Sequence, residues 1–250
     1  MRVRFFNAVL FALAGAGATM AVQATAWSLA AAQSQPQSQA AAASPTPDQL
    51  RQAVAGLRGG RIKRPTSYDE LTPEQKAFVN SVLSGPRRGL DGSLGVMIAS
   101  PAFADLMQKT IAYARFAGRE GYSSLTPKLS ELAIIMGARA WTAQYAWYVH
   151  RRAAVDAGVS VALVEAIRDG RRPARMQPDE EAVYNFCSEL LTTKAVSDAT
   201  FQTARSVLGG DRGVVDLVGT LGAYQVVAMM MVVDRFPLPD GAEPELKPLQ

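Results

Sequence analysis

Hydrophobic and polar positions alternate with a helical period through most of the chain. Ala77, Phe78, Val82 and Leu83 share one face after Thr72-Pro73-Glu74-Gln75. That tetrapeptide supplies an N-cap, a proline at the first helical position and a capping-box glutamine. Gly85-Pro86 ends the element. Ser100-Pro101 opens a second helix, in which Phe103, Leu106, Met107, Thr110, Ile111 and Ala114 keep the 3–4 spacing to about Gly118. Thr126-Pro127 opens a third, with Leu129, Leu132, Ala133, Ile135, Met136 and Ala140 on its buried side. Further helical patterns run over 143–157, 160–169, 178–194 and 197–208, and a last one starts at Asp211. Residues 86–100 hold three glycines and no clear period, the kind of loop that often shapes a site. No segment shows sustained two-residue alternation. The pattern predicts an all-α domain of about seven or eight helices joined by short loops that suit antiparallel packing.

The first part of the chain reads differently. Residues 1–4 are basic, and Phe5 to Val22 carry no charge. Small-x-small sites follow at Ala24-Thr25-Ala26 and Ala30-Ala31-Ala32. This is the layout of a secretory signal peptide over 1–32, cleaved after Ala26 or Ala32, and an uncleaved anchor is the alternative. An exported protein, periplasmic or secreted, is expected. Residues 33–67, rich in Gln, Ser, Ala and Pro and then in basic residues and glycine, predict a disordered or extended linker. The helical domain then occupies 68–237, and 238–250 form an extended, proline-rich tail.

Charge changes this picture little. The formal net charge is +4, and without Arg2 and Arg4 the chain is nearly neutral. The densest basic cluster, Arg171, Arg172 and Arg175, lacks interleaved aromatics and predicts no nucleic-acid site. No membrane contact is expected once the leader is removed. One cysteine, Cys187, cannot form an internal disulfide and falls on the apolar face of its helix. With one histidine and one cysteine in the sequence, no metal site is expected.

The candidate chemistry lies in 126–158, TPKLSELAIIMGARAWTAQYAWYVHRRAAVDAG. Glu131 and His150 are the two polar residues that interrupt its apolar positions. On one straight helix they would lie about 28 Å apart, beyond any contact. If the chain reverses at 140–142, where Thr142 can cap a new helix, they become neighbours across an antiparallel pair. A carboxylate there would set the imidazole tautomer and free the other nitrogen for proton transfer. Tyr145 and Trp147 approach His150 along the same helix and would wall a pocket. Each residue also has a plain structural reading: His150 as a hydrogen-bonded core histidine, Glu131 as a surface acid, and Arg139 and Arg151 as solvated cations.

The stretch LSELAIIMGARAWTAQYAWYVHRRAAVDAGVSVALVEAI resembles the central motif of the carboxymuconolactone decarboxylase family, itself related to the alkyl hydroperoxidase D-like (AhpD-like) proteins. The likeness extends from GPRRGLDGSLGVMIASPAF to GTLGAYQVVAMMM, across the helical region. It implies a single AhpD-like helical domain. In the peroxidase branch a Cys-x-x-Cys pair stands between the glutamate and the histidine; here those positions are Ala143 and Ala146. Thiol peroxidase activity is therefore not expected. The aromatic approach Tyr145-Ala146-Trp147-Tyr148-Val149-His150 looks like the decarboxylase branch. The resemblance implies a carboxy-lyase without cofactor or metal, acting on a carboxylated lactone or similar small acid. His150 would shuttle the proton and Glu131 would orient it. Tyr145, Trp147, Arg139 and Arg151 would contact substrate, with Arg139 or Arg151 holding its carboxylate. It also implies a homo-oligomer, a trimer or hexamer. A non-catalytic protein that binds a small ligand in the same pocket is the competing expectation.

Overall fold

The computed structural model describes residues 44–249, so the expected leader at 1–32 lies outside the described residues. Within them the protein is all-α, with ten α-helices, one 3-10 turn and no strand. In chain order these are α1 (Pro47–Ala55), the 3-10 turn Tyr68–Glu70, α2 (Pro73–Ser84), α3 (Ser93–Met97) and α4 (Pro101–Arg115). There follow α5 (Pro127–Ala140), α6 (Gln144–Asp156), α7 (Val161–Arg168), α8 (Pro178–Thr193), α9 (Asp198–Val207) and α10 (Asp211–Asp234).

Local chemistry starts most of these helices. Thr72 Oγ1 accepts from the Gln75 amide at 3.3 Å while Gln75 Oε1 accepts from the Thr72 amide at 3.0 Å, a complete capping box. Thr126, Ser160 and Ser197 cap α5, α7 and α9 with their hydroxyls. The helices bury two apolar clusters. One gathers Leu132, Ile135, Trp147, Leu163, Phe186 and Cys187 around α5 to α8. The other gathers Phe78, Val82, Leu94, Ile98, Ile111 and Val227 around α2, α3, α4 and α10. Helices α5 and α10 contribute to both, through Leu132 and Ile134 on α5 and Leu217 and Val227 on α10, and so form the wall between them. Helix α10 is long enough to cross a bilayer and holds an 18-residue window of mean hydropathy 1.6, of which 56% is buried within the protein.

Two elements exceed the eight helices the periodicity predicts. Helix α3 lies inside the expected loop 86–100 and is buried throughout. A five-residue helix buried on all sides carries no amphipathic stripe, so no period announces it. Helix α1 lies inside the expected linker, and the extended linker over 33–67 does not hold from Pro47 onward. Thr46 and Gln49 form a capping box, and Leu50 and Val54 are buried in the second cluster.

Residues 60–64 are fastened to the C-terminal end of α10. Asp234, 0% exposed, accepts from both Arg64 terminal nitrogens, at 3.2 and 2.5 Å, and from the Ile62 amide at 2.8 Å. The Arg61 amide donates to the Asp234 carbonyl at 2.7 Å. A Cβ at Gly60 would stand 2.1 Å from Asp234 Oδ2, so this approach requires glycine. These partners are 170 residues apart in sequence, and composition cannot register them.

The tail has no helix, as expected, yet it is anchored. Leu246 is buried, Gln144 Nε2 donates to its carbonyl at 2.7 Å, and Gln144 Oε1 accepts from the amides of Glu245 and Leu246, both at 3.1 Å.

Asp234→Ala would strand Arg64 as a buried unpaired charge. Loss of one partner of a buried pair costs about 3–5 kcal/mol. Guanidinium unfolding should show a loss of that order, and a midpoint equal to wild type would contradict the fastening.

Candidate active site

The site starts from the end of α5. Helix α5 closes at Ala140, and Thr142 then adopts φ 49°, a left-handed conformation unusual for a β-branched residue. The Thr142 amide donates to the Arg139 carbonyl at 3.0 Å, and the Ala143 amide to the Ala138 carbonyl at 2.9 Å. This is the paired bonding of a Schellman turn, with threonine where glycine is usual. Ala143, not Thr142, is the N-cap of α6, and it has no side-chain capping bond. The chain thus reverses within three residues, and α6 packs antiparallel on α5.

That reversal brings Glu131 and His150 together. Glu131 Oε2 lies 2.8 Å from His150 Nδ1, with the two residues 8% and 4% exposed. A carboxylate facing Nδ1 selects the tautomer protonated there, so Nε2 carries the lone pair. No protein group hydrogen-bonds Nε2 among the described residues, and His150 lines a cavity of about 460 Å³. The Tyr224 ring meets the imidazole edge-on, centroids 4.8 Å apart at 81°.

Four regions of sequence build the cavity. Helix α6 contributes Tyr145, Ala146, Val149 and His150. Residues 86–93 contribute Arg87, Asp91 and Gly92. Helices α4 and α10 contribute Ile111, Arg115, Tyr224 and Met231. Gly92 has φ 69°, and a Cβ there would press to 3.2 Å from the Tyr145 ring and 3.3 Å from Met231 Cε. Glycine therefore keeps this part of the cavity open.

The polar lining is mainly basic and phenolic, with Asp91 as its one carboxylate. Burial lowers the Arg87 pKa; Tyr224 and Asp91 oppose that, and Arg115 adds to it. Arginine nonetheless stays protonated at any ordinary pH. The Tyr224 residue is 3% exposed, and its hydroxyl has no hydrogen-bond partner among the described residues. Burial pushes that hydroxyl up to about 12. Arg115 lies close enough to oppose the rise but does not reach hydrogen-bonding geometry. Burial also raises the Tyr145 pKa. The arrangement is one oriented imidazole, two guanidinium groups, two phenols and the Asp91 carboxylate around an apolar floor. It suits proton transfer to or from a small anionic molecule.

Several sequence expectations change here. Tyr145 lines the cavity, but Trp147, Arg139 and Arg151 do not. Trp147 is buried and its indole donates to Glu245 Oε2 at 3.1 Å, while Arg151 pairs with Glu245 Oε1 at 2.7 Å. The anchored tail thus takes both away from His150. Arg139 lies on another face of α5, against Asp169 and Gly170. The helical spacing that predicted Trp147 beside His150 could not include a strand of tail arriving from a hundred residues away. Arg87, Arg115 and Tyr224 are the residues the spacing did not select. Arg87 did sit in the glycine-bearing loop, the available signal, whereas Tyr224 is one of many apolar positions on α10.

Ala143 and Ala146 are both buried at the start of α6. Cys187 is wholly buried on α8, and burial pushes its thiol up to about 12. Among the described residues no three of His, Cys, Asp and Glu cluster with metal-ligand geometry.

No family model matches the chain, and no curated protein matches it. Among solved structures, an Agrobacterium tumefaciens protein of unknown function, described as a candidate antioxidant defence protein AhpD, is similar at 16% sequence identity and a TM-score of 0.48. The match covers 57% of this chain and 95% of that one. At that level the similarity says nothing of the chemistry here.

A thiol with a pKa of about 12 is ionised in roughly one molecule in 10⁴ at pH 8. Cys187 should therefore resist a thiol-disulfide reagent in the native protein at pH 8 and react at once in guanidinium. Fast native labelling would show that α8 opens.

Proposed function

We propose that the His150 cavity performs cofactor-free acid–base catalysis on a small molecule bearing a carboxylate, of the carboxylated-lactone type that the family resemblance implies. The observation that carries this reading is the buried 2.8 Å contact between Glu131 and His150, on a residue that opens into a cavity. A core histidine serving packing alone has no need of a cavity at its other nitrogen.

Loss of carbon dioxide from a carboxylated lactone leaves its bonding electron pair delocalised into the lactone carbonyl, and carbon must then be protonated. His150 Nε2, first protonated, delivers that proton, and Glu131 stabilises the imidazolium in between. Arg87 and Arg115 hold the carboxylate or face the negative charge as it forms. The Tyr224 hydroxyl, neutral at physiological pH, is a free donor for the same oxygen atoms. Arg87 and Arg115 thus take the role first expected of Arg139 and Arg151.

Further expectations belong to this reading. Val215, Val218, Gly222, Met229 and Val232 are exposed on α10. With Gln225 they recur at alternating three- and four-residue steps, the seam of a helix that packs on another. This supports a homo-oligomer. The leader-like residues 1–32 support export.

Two experiments test the proposal. With a carboxylated γ-lactone as substrate, His150→Gln should lower kcat by about 10²- to 10⁴-fold, the usual worth of a positioned general acid. Arg87→Gln should act mainly on KM. Wild-type turnover by His150→Gln would remove the mechanism, and saturable binding without turnover would favour the ligand-binding alternative. Separately, protein recovered from a periplasmic fraction should begin just after Ala26 or Ala32 and give a light-scattering mass of several subunits. A monomer mass would remove the oligomer, and an intact Met1 the cleavage.

A further inference from the structure

A second cavity, of about 730 Å³, shares no lining residue with the first. It lies where the C-terminal ends of α5 and α7 meet the tail, and is bounded by Arg139, Arg168, Asp169, Glu245, Lys247 and Leu249, with Gly170 and Pro248. The volume falls within the range of small-molecule sites.

Its charges do not balance internally. Asp169 is shared by Arg168 at 2.9 Å and Arg171 at 3.0 Å. Glu245 is engaged by Arg151 and Trp147. Arg139 is 6% exposed and pairs with no carboxylate among the described residues. Its one hydrogen bond runs from Nη1 to Thr142 Oγ1 at 3.3 Å, and its buried Nε has no partner. A guanidinium offers five N–H donors. Burying one with a single long bond, its acidic neighbour Asp169 being held by two other arginines, is costly unless something else completes its coordination. Lys247, exposed at the rim, also pairs with no carboxylate among the described residues. Its place is set by the anchored Glu245 and Leu246 beside it. Gly170, at φ 69°, faces Arg139: a Cβ there would come within 2.8 Å of Leu249 Cδ2 and 3.8 Å of Arg139 Nη2. The wall beside the guanidinium is thus kept low.

We propose that this cavity is a second, separate ligand site, for a small molecule presenting an oxyanion, either carboxylate or phosphate. Arg139 grips the anion with its free N–H groups. Lys247 and Arg168 supply positive charge at the rim. The anion completes the coordination of a buried cation whose acidic neighbour, Asp169, is already held by Arg168 and Arg171.

Binding is tested on the full chain carrying Arg87→Gln and Arg115→Gln, so that the His150 cavity is not counted. One arm titrates inorganic phosphate and the other succinate, by calorimetry and by thermal shift. At least one anion should bind and raise Tm, and the tighter one identifies the head group. Adding Arg139→Met or Lys247→Gln should weaken that binding at least tenfold. Without ligand, Arg139→Met should melt no lower than its parent, since it removes an uncompensated charge. If Arg139→Met does not fold, Lys247→Gln, at an exposed position, decides. Absence of binding in both arms, or binding that these substitutions leave unchanged, overturns the proposal.

Discussion

A carboxylate and an imidazole, both almost wholly buried, meet at 2.8 Å across two antiparallel helices. Ionisable groups removed from water to this degree are tolerated only when paired with good geometry. Here the geometry depends on where α5 stops. One more turn of helix would carry the chain about 5 Å further before reversing and would separate the pair. The left-handed Thr142 and its Schellman bonds set that stopping point with a residue poorly suited to it. The surrounding helices pack on both members of the hairpin and hold the conformation that Thr142 alone would not prefer.

The distribution of arginine partners explains how one basic chain makes distinct environments. Arg64 is neutralised by Asp234 and fastens the N-terminal segment to α10. Arg151 is neutralised by Glu245 and fastens the tail to α6. Arg87, Arg115 and Arg139 pair with no carboxylate among the described residues, and each lines a cavity. The first two face an oriented imidazole, where a bound anion could react. The third faces no proton-transfer group, where an anion could only be held. The tail joins the two regions, because Glu245 occupies Trp147 and Arg151 while Lys247 reaches the second cavity.

Particular residues show how far the pattern could be read. Thr72, Thr126, Ser160 and Ser197 cap helices because capping is decided within four residues of chain. That a reversal at 140–142 would pair Glu131 with His150 was legible, since a single rod excludes their contact by distance alone, although no Gly or Pro enforces the turn. Helix α3 was not, since a helix buried on every side has no polar face to produce a period. Helix α1 was obscured by the Gln-, Ser- and Pro-rich composition before it, although Thr46 and Gln49 carry the same capping box as Thr72 and Gln75.

By itself the amino-acid sequence determined the all-helical class and the starts of eight helices, and it marked Glu131 and His150 as residues that a reversal at 140–142 would pair. All of these follow from short-range periodicity, capping and the reach of a helix. Only tertiary structure decided which cations face His150, that Trp147 and Arg151 belong to the tail, that Arg139 stands over a cavity of its own, and that residues 60–64 are fastened to Asp234. Each of those depends on groups brought together across scores of residues, where burial and charge neutralisation, not local spacing, select the partner.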